Sequence, residues 1–269
     1  AARPKRILIA GGGPAGMKAA IIAAQRGHDV TLHEASPRLG GQALLAQLLP
    51  GRSEFGGLVT NLLRELELSQ VRVVKGTRVD RALVEREAPD VVIMATGATP
   101  YRPDFVQEGE IQVVDAWQVL KGEVTVGRSV LVSDWRCDWI GIGIAELLAR
   151  QGSVVKLAVS SEMAGKSIPS YVRFSSMATL HRFGVEFIDY ARLYGCDTGT
   201  VYLQHTASGE PFIIEDIDTL VLCQGHAPDM TLSDALAGLR GEQHIIGDCF
   251  IPRTAEEAIY EAVKVASAI

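Results

Sequence analysis

The stretch from Arg6 to Glu34, RILIAGGGPAGMKAAIIAAQRGHDVTLHE, constrains this chain more than any other, because it spells out a complete βαβ unit. Ile7, Leu8, Ile9 and Ala10 make an unbroken apolar run, the mark of a strand buried on both faces. Gly11-Gly12-Gly13-Pro14-Ala15-Gly16 turns directly out of it. A helix is expected next, with Ala19, Ala20, Ile21, Ile22, Ala23 and Ala24 as its packing surface and Gly27 as its end. Val30-Thr31-Leu32-His33 then reads as the second strand, closed by Glu34.

Gly11, Gly13 and Gly16 fit the pattern G-x-G-x-x-G, with Pro14 and Ala15 at the variable places. In that pattern the first glycine makes the tight turn, the second lets a pyrophosphate approach the backbone, and the third lets helix and strand pack closely. The helix N-terminus then offers free N–H groups and a positive dipole end to the phosphates. Glu34 follows at about the 20-residue distance where a carboxylate accepts hydrogen bonds from both ribose hydroxyls of an adenosine. Strand, turn, helix and acid together predict a nucleotide site, with a structural glycine turn as the alternative; the glycines alone would be a weak signal.

Composition narrows the classes of function. The chain is 47% hydrophobic and 22% charged, as expected of a compact folded protein. Its net charge of -6 opposes general binding to nucleic acid or to an anionic membrane. No apolar run approaches the roughly 18 residues a spanning helix needs, and the basic start Arg3-Pro4-Lys5-Arg6 leads into a strand and a turn, not a signal peptide. Cys137, Cys196, Cys223 and Cys249 are far apart and form no C-x-x-C, so they read as small buried hydrophobes in a reducing, cytoplasmic protein. The histidines are scattered without H-x-x-x-H spacing, which predicts no metal site. There is no G-x-S-x-G and no Cys–His pair for nucleophilic catalysis, so no catalytic residue is assigned. The opening Ala1-Ala2-Arg3-Pro4, without Met and almost abutting the first strand, suggests a piece of a longer polypeptide or a processed chain.

After Glu34, the loop Ala35-Ser36-Pro37-Arg38-Leu39-Gly40-Gly41-Gln42 permits close backbone approach to a ligand, and Gln42 can hydrogen-bond it. An ordinary glycine-rich turn is the alternative. Leu44 to Leu49 reads as an apolar helix stopped by Pro50-Gly51. Arg52 can pair with a pyrophosphate or a flavin carbonyl, or simply be a solvated surface arginine. Phe55 to Leu68 has helical spacing, Val71 to Val74 is a strand, and Lys75 to Val79 is a turn into the next segment. The apolar strand Val91-Val92-Ile93-Met94-Ala95 ends in Thr96-Gly97-Ala98-Thr99-Pro100, at the carboxyl end of a parallel strand where open α/β sheets meet ligand. Thr96 and Gly97 are placed to cover the nucleotide from its other side.

These features, with Pro50-Gly51-Arg52 and with Ile246-Gly247-Asp248-Cys249 and Pro252-Arg253-Thr254-Ala255-Glu256-Glu257-Ala258-Ile259 near the end, resemble the carboxyl-terminal portion of large flavin oxidoreductases whose amino-terminal portion is an Old-yellow-enzyme-type barrel. The group includes 2,4-dienoyl-CoA reductase, trimethylamine, dimethylamine and histamine dehydrogenases, and N-demethylases. The resemblance runs over nearly the whole chain and implies FAD as cofactor, with ADP alone as the alternative. It implies FMN and a four-cysteine iron–sulfur cluster only on a part absent here, so an FMN-barrel and iron–sulfur domain or subunit is an expected partner. An electron-transfer flavoprotein is a second expected partner, and an oligomer is compatible with it. The cofactor-binding set is Gly11, Gly13, Pro14, Ala15, Gly16, Glu34, Ala35, Gly41, Gln42, Arg52, Val79, Ala95, Thr96, Gly97, Gly247 and Asp248.

A second βαβ unit opens at Ser129-Val130-Leu131-Val132-Ser133, with a helix over Ile140 to Gln151 and a strand over Val154 to Val159. In relatives that use pyridine nucleotides this is the NAD(P)H unit. Here the turn is Asp134-Trp135-Arg136-Cys137-Asp138-Trp139, which would aim two carboxylates and two indoles at a pyrophosphate, while Gly141 and Gly143 arrive too late, inside the helix. The strand ends in Ser160-Ser161-Glu162 without an arginine pair for a 2'-phosphate, so NAD(P)H is a doubtful cofactor. This departure resembles trimethylamine dehydrogenase.

Further on, a helix is expected toward Phe183, a strand over Gly184 to Ile188, a hairpin of Tyr202–His205 with Phe212–Ile214, and a buried strand over Thr219 to Cys223. Gln224-Gly225-His226-Ala227-Pro228 echoes the A-T-G-x-x-P turn. His244-Ile245-Ile246-Gly247-Asp248 is the last strand and turn, with Asp248 placed for a ribityl hydroxyl or as a plain helix cap, and a helix begins near Ala255. The expected architecture is α/β, two interleaved doubly wound Rossmann-like nucleotide-binding units: residues 1–108 with 228–269, and an inserted unit at 109–227. The expected function is an FAD-binding electron-transfer or reductase module. A structural ADP-binding module and an NAD(P)H-dependent flavin reductase are the alternatives.

Overall fold

The computed structural model describes residues 3–269; Ala1 and Ala2, at the head of the expected first unit, lie outside the described residues. The chain divides into two compact units, Ala1–Gln47 with Arg52–Thr99 and His226–Ile269, and Leu48–Gly51 with Pro100–Gly225. In order, the first passage comprises β1 (Arg6–Ala10), α1 (Pro14–Gln25), β2 (Asp29–Glu34), α2 (Ala43–Ala46), α3 (Glu54–Glu67), β3 (Arg72–Lys75), α4 (Arg81–Glu87), β4 (Val91–Met94) and β5 (Ala98–Pro100). The second unit then runs β6 (Val106–Gln107), β7 (Gln112–Asp115), α5 (Ala116–Lys121), β8 (Ser129–Asp134), α6 (Trp139–Arg150), β9 (Val154–Val159), α7 (Ser170–Arg182), β10 (Glu186–Ile188), β11 (Ala191–Cys196), β12 (Val201–His205), β13 (Pro211–Ile214) and β14 (Thr219–Cys223). The return passage is β15 (His226–Pro228), α8 (Thr231–Ala235), β16 (Glu242–Ile245), a 3-10 turn at Gly247–Cys249, and α9 (Ala255–Ala268).

The first unit is built on a five-stranded sheet in the order β16-β4-β1-β2-β3, with parallel pairing throughout. Its central strand is the apolar run of the glycine unit, with Ile7, Leu8, Ile9 and Ala10 all buried, as a strand covered on both faces requires. Ala19, Ala20 and Ala23 of α1 and Ala258, Ala262 and Ala266 of α9 belong to one core, and the helix pair α1 and α9 packs through these small residues. The other sheet face is closed by Leu83 and Val84 of α4, Leu232 and Leu236.

The second unit repeats the plan with a parallel sheet β10-β9-β8-β14-β7. Ile144, Ala145 and Leu148 of α6 are buried with Val130, Val132 and Leu157. A four-stranded sheet, β13-β12-β11-β6, adds a further layer over Leu131, Leu220 and Leu222.

Several expectations shift. Residues 100–108 fall in the second unit, because β6 pairs with β11. The expected helix at Leu44–Leu49 shrinks to Ala43–Ala46, since Leu49 is buried in the core of the second unit against Gly143. Strand β11 had no sequence signal: a register shift between Leu193 and Gly195 interrupts the alternation of inward and outward residues. The last strand lies earlier than expected, at Glu242–Ile245.

The small-residue seam sets a testable limit. Ala262 is completely buried, so Ala262→Leu must force α9 from α1 and should destabilise the protein by about 1–3 kcal/mol. Thermal unfolding would read this as a lower midpoint; an unchanged midpoint would mean that the helices are not in close contact.

Candidate nucleotide-binding site

The turn between β1 and α1 is drawn tight by backbone contacts that only glycine allows. Gly11 has φ +109, and a Cβ there would stand 2.2 Å from the carbonyl oxygen of Ala95, the residue after β4. A Cβ on Gly16 would stand 1.9 Å from the Gly11 carbonyl oxygen, so the third glycine is what lets α1 lie on the strand end. Gly13 faces open space: the nearest atom to a Cβ there is Gly41 Cα at 4.0 Å. Gly13 is the N-cap of α1 and offers no side-chain cap, and Pro14 follows without an N–H. The first hydrogen bond into the helix comes from Met17 N to Gly13 O, at 2.9 Å, so the Ala15 and Gly16 amides precede it. They are orphan donors at the positive end of the helix dipole, beside a gap floored by glycine.

Glu34 stands next to this gap. Its carboxylate accepts 2.7 Å hydrogen bonds from Gly12 N on one oxygen and from Ser36 N on the other, which fixes its plane and leaves a further lone pair on each oxygen. The arrangement can accept two hydroxyl donors at once. Ala35 lies exposed between the two anchoring positions.

A second acid marks the other end. Asp248 sits in the 3-10 turn after β16, half-buried, accepting from Gln42 Nε2 at 2.9 Å and from the Arg253 amide at 3.1 Å. Burial raises its pKa, against the lowering effect of those two hydrogen bonds. Gly97, at φ +80, presents its bare Cα toward Gln42, and Gly247 packs against Ala15 at the start of α1. Thus Gly11, Gly13, Ala15, Gly16, Glu34, Gly41, Gln42, Ala95, Gly97, Gly247 and Asp248 surround one end of the sheet in the first unit.

Three expected residues are turned elsewhere. The Thr96 hydroxyl donates to Asp229 O at 2.8 Å and lies 3.0 Å from Cys249 Sγ, so it braces the turn from behind instead of covering a ligand. Arg52 pairs with Glu54 at 3.3 Å and lies over the Phe55 ring at 5.0 Å. The Val79 side chain packs into the core beneath α4. Two residues beside Asp248 were not singled out from the sequence as site residues: Glu261 of α9, which accepts from Gly247 N at 2.7 Å, and Arg253, whose guanidinium pairs with Glu261. Glu261 follows Glu257 by one turn of α9, but Arg253 precedes the N-cap Thr254, so no helical periodicity joined it to Glu261 in the sequence.

The corresponding turn of the second unit differs in a way that corrects the sequence reading. Gly141 is not late: it is the third residue of α6, as Gly16 is of α1. A Cβ on Gly141 would stand 2.2 Å from Asp134 Oδ2, so this glycine makes room for a side chain. Asp134 is 1% exposed, with Oδ1 accepting from Cys137 N at 2.9 Å and Oδ2 without a partner. Asp138 is the N-cap and accepts from Ile140 N at 2.9 Å. Neither acid is aimed outward at a phosphate; one is buried inside the turn and the other already occupies the helix end. The indoles also separate: Trp135 is exposed beneath Arg192, at 5.3 Å, while Trp139 packs on the core. Ser160, after β9, donates to Trp135 O at 2.8 Å, where a ribose-binding acid would be needed. These residues do not fit a pyridine dinucleotide.

Among the described residues no group of three or more His, Cys, Asp or Glu is placed to hold a metal, and no helix is long and apolar enough to cross a membrane. The four cysteines are free and buried.

Comparison with known proteins gives the family and the fold. The family profile described as Pyridine nucleotide-disulphide oxidoreductase matches residues 5–262. N,N-dimethylglycine/sarcosine dehydrogenase of Chromohalobacter salexigens is 30% identical over 97% of this chain and 44% of its own length. A metal reductase of Desulforamulus reducens is 30% identical over 97% of this chain and 43% of its own length. The structure of histamine dehydrogenase from Rhizobium sp. 4-9 superposes with a TM-score of 0.94 at 22% identity, over 99% of this chain and 44% of that one. The chain therefore spans less than half the length of these relatives.

Burial of Asp134, reinforced by the nearby Asp138 charge, raises its pKa from 3.8 to about 8. The folded state then holds a proton that the unfolded chain has lost, so this group's contribution to stability falls as pH rises from about 4 to about 8. Asp134→Asn lacks that term. Denaturant unfolding across the window should show the parent losing stability relative to the variant as pH climbs; a constant gap would mean that Asp134 is ionised in the folded protein.

Proposed function

The chain belongs to the pyridine nucleotide-disulphide oxidoreductase family, and on that footing we propose that its first unit binds FAD and serves as the electron-transfer module of a larger, Old-yellow-enzyme-related flavoenzyme. The observation that carries this reading is the pairing of an uncapped helix end with a carboxylate fixed by two backbone amides, 2.7 Å each, on the same glycine turn. Phosphate oxygens would be met by the Ala15 and Gly16 amides, and the adenosine ribose by Glu34. Asp248 and Gln42, joined at 2.9 Å, favour FAD over bare ADP, because ADP has no polyol chain to engage them. When bound, the flavin supplies the redox chemistry; the chain holds and orients it and shapes its surroundings by hydrogen bonds.

Oxidation of a methylated amine or reduction of an activated double bond, chemistry of the kind named for the longer relatives, would then take place on a separate FMN and iron–sulfur part. That part, or an electron-transfer flavoprotein, is the proposed electron partner. The second unit's turn disfavours direct reduction by NAD(P)H, with its helix end already capped by Asp138. Four free thiols suit a reducing compartment, and we place the protein in the cytoplasm.

Titration of the apoprotein with FAD and with ADP, followed by calorimetry and flavin absorbance, tests this reading. The parent should bind both, FAD more tightly. Glu34→Gln keeps the shape but loses the charge, and should weaken both ligands by about tenfold or more, since a hydrogen bond to a charged group is worth ~1.5–3 kcal/mol. Equal binding by parent and Glu34→Gln would remove the ribose from this carboxylate, and absence of binding to either ligand would remove the proposal.

A further inference from the structure

We infer that Glu261 is a positioning residue that makes the Asp248 end of the site selective for a neutral polyol, by keeping the Arg253 guanidinium away from Asp248. The inference rests on the FAD reading above and specifies how the chain would tell FAD from ADP. Its basis is a closed ring of contacts. Gly247 N donates to Glu261 Oε2 at 2.7 Å, the Arg253 guanidinium pairs with Glu261 Oε1, and Arg253 N donates to Asp248 Oδ1 at 3.1 Å. Asp248 directly follows Gly247, so both ends of the ring meet at the acid proposed to take the ribityl chain.

Each link has a separate consequence. Gly247 lies at φ +66, and a Cβ there would come within 2.9 Å of Ala15 Cβ, so its backbone is pressed against the first turn of α1. The Glu261 bond fixes the direction of its amide and thereby the plane of the following turn. Glu261 is only 16% exposed on its side chain, and its two oxygens are each served by a donor. Arg253 is the positive group nearest in sequence to Asp248, and its own amide already touches that carboxyl. The other acid facing Arg253 is Glu257, and its carboxylate is turned onto Thr254 N and Oγ1 in the capping box of α9.

If the Glu261 charge is removed, the guanidinium has Asp248 as its available partner. A bidentate arginine pair would occupy the oxygens that a hydroxyl must reach, and would turn a polyol site into one that attracts anions. The Glu261 charge also helps keep the half-buried Asp248 carboxyl above the ordinary carboxylate range, behind burial as the main cause. A pair with Arg253 would reverse that. The adenosine half of the site, at Gly13 and Glu34, is untouched by these changes.

The experiment measures dissociation constants for FAD and for ADP on the apoprotein, by calorimetry. The parent should prefer FAD. In Glu261→Gln, where the amide oxygen can still accept from Gly247 N, the preference for FAD over ADP should fall by about tenfold, the scale of a lost charge-assisted interaction. The double variant Arg253→Ala/Glu261→Gln should regain the preference, because the intruding guanidinium is gone, and Arg253→Ala alone should keep it. A merely structural role for Glu261 predicts no such rescue. An undiminished preference in Glu261→Gln, or loss without rescue in the double variant, overturns the inference while leaving the FAD reading intact. Should Glu261→Gln fail to fold, loss of the preference in Arg253→Ala overturns it and retention supports it. Equal binding of FAD and ADP by the parent overturns both.

Discussion

The site depends on a helix that does not finish its own N-terminus. Every α-helix leaves its first amides without internal partners, and most chains satisfy them with a side chain at the N-cap. At α1 the N-cap is Gly13, which has no side chain to give, and Pro14 removes one donor without supplying an acceptor. The orphan amides and the dipole end are left to something from outside the chain. The glycines around them serve that purpose: Gly11 and Gly16 allow backbone contacts that no other residue could make, and Gly13 keeps the approach clear. The neighbouring acid, Glu34, would repel a phosphate if it were free to swing, but its two oxygens are tied to Gly12 N and Ser36 N and so held to one side.

The same chain contains the opposite solution. The helix α6 begins at Asp138, whose carboxylate accepts from Ile140 N and supplies the negative charge at the dipole end. Asp134 fills the space that Gly141 leaves, and three residues separate strand from N-cap where the first turn has two: Trp135 to Cys137 against Gly11 and Gly12. The strand-to-helix packing is the same in both units because it needs only a glycine at the third helical position. A phosphate needs much more: uncapped amides, a clear approach and no buried acid. Packing and binding chemistry thus rest on different residues of one turn: the glycine serves the first, and the uncapped amides and clear approach serve the second.

Legibility in the sequence followed the range of the interactions. The first βαβ unit could be read because each of its signals is local: an apolar run, a glycine turn, small helical residues and an acid at a fixed distance. Gln42 and Asp248 are 206 positions apart, yet both could be named because each sits in a short motif at the carboxyl end of a strand or in a glycine loop. The direction of a side chain was less accessible. Thr96 was read as facing a ligand and instead bonds Asp229 O; Asp134 was read as facing outward and is buried. In both cases the motif fixes the backbone, and the rotamer is decided by groups remote in sequence. Strand β11 was invisible for a different reason, since its bulge disrupts the two-residue period on which strand recognition rests.

A helix end completed by a ligand ties stability to occupancy. Anything that binds the folded first unit and not the unfolded chain stabilises it by an amount that grows with the logarithm of its concentration, about 2.7 kcal/mol at a hundred times the dissociation constant. The first unit's turn therefore gives up some stability of its own, through an uncapped helix and a run of glycines with costly conformational freedom, and regains it only when the ligand is present. The second unit carries a different burden in the buried acid at Asp134, which folding tolerates by keeping it protonated. The two turns thus answer one physical demand differently: an uncapped helix end is a standing cost, which a ligand offsets at α1 and the Asp138 carboxylate removes at α6.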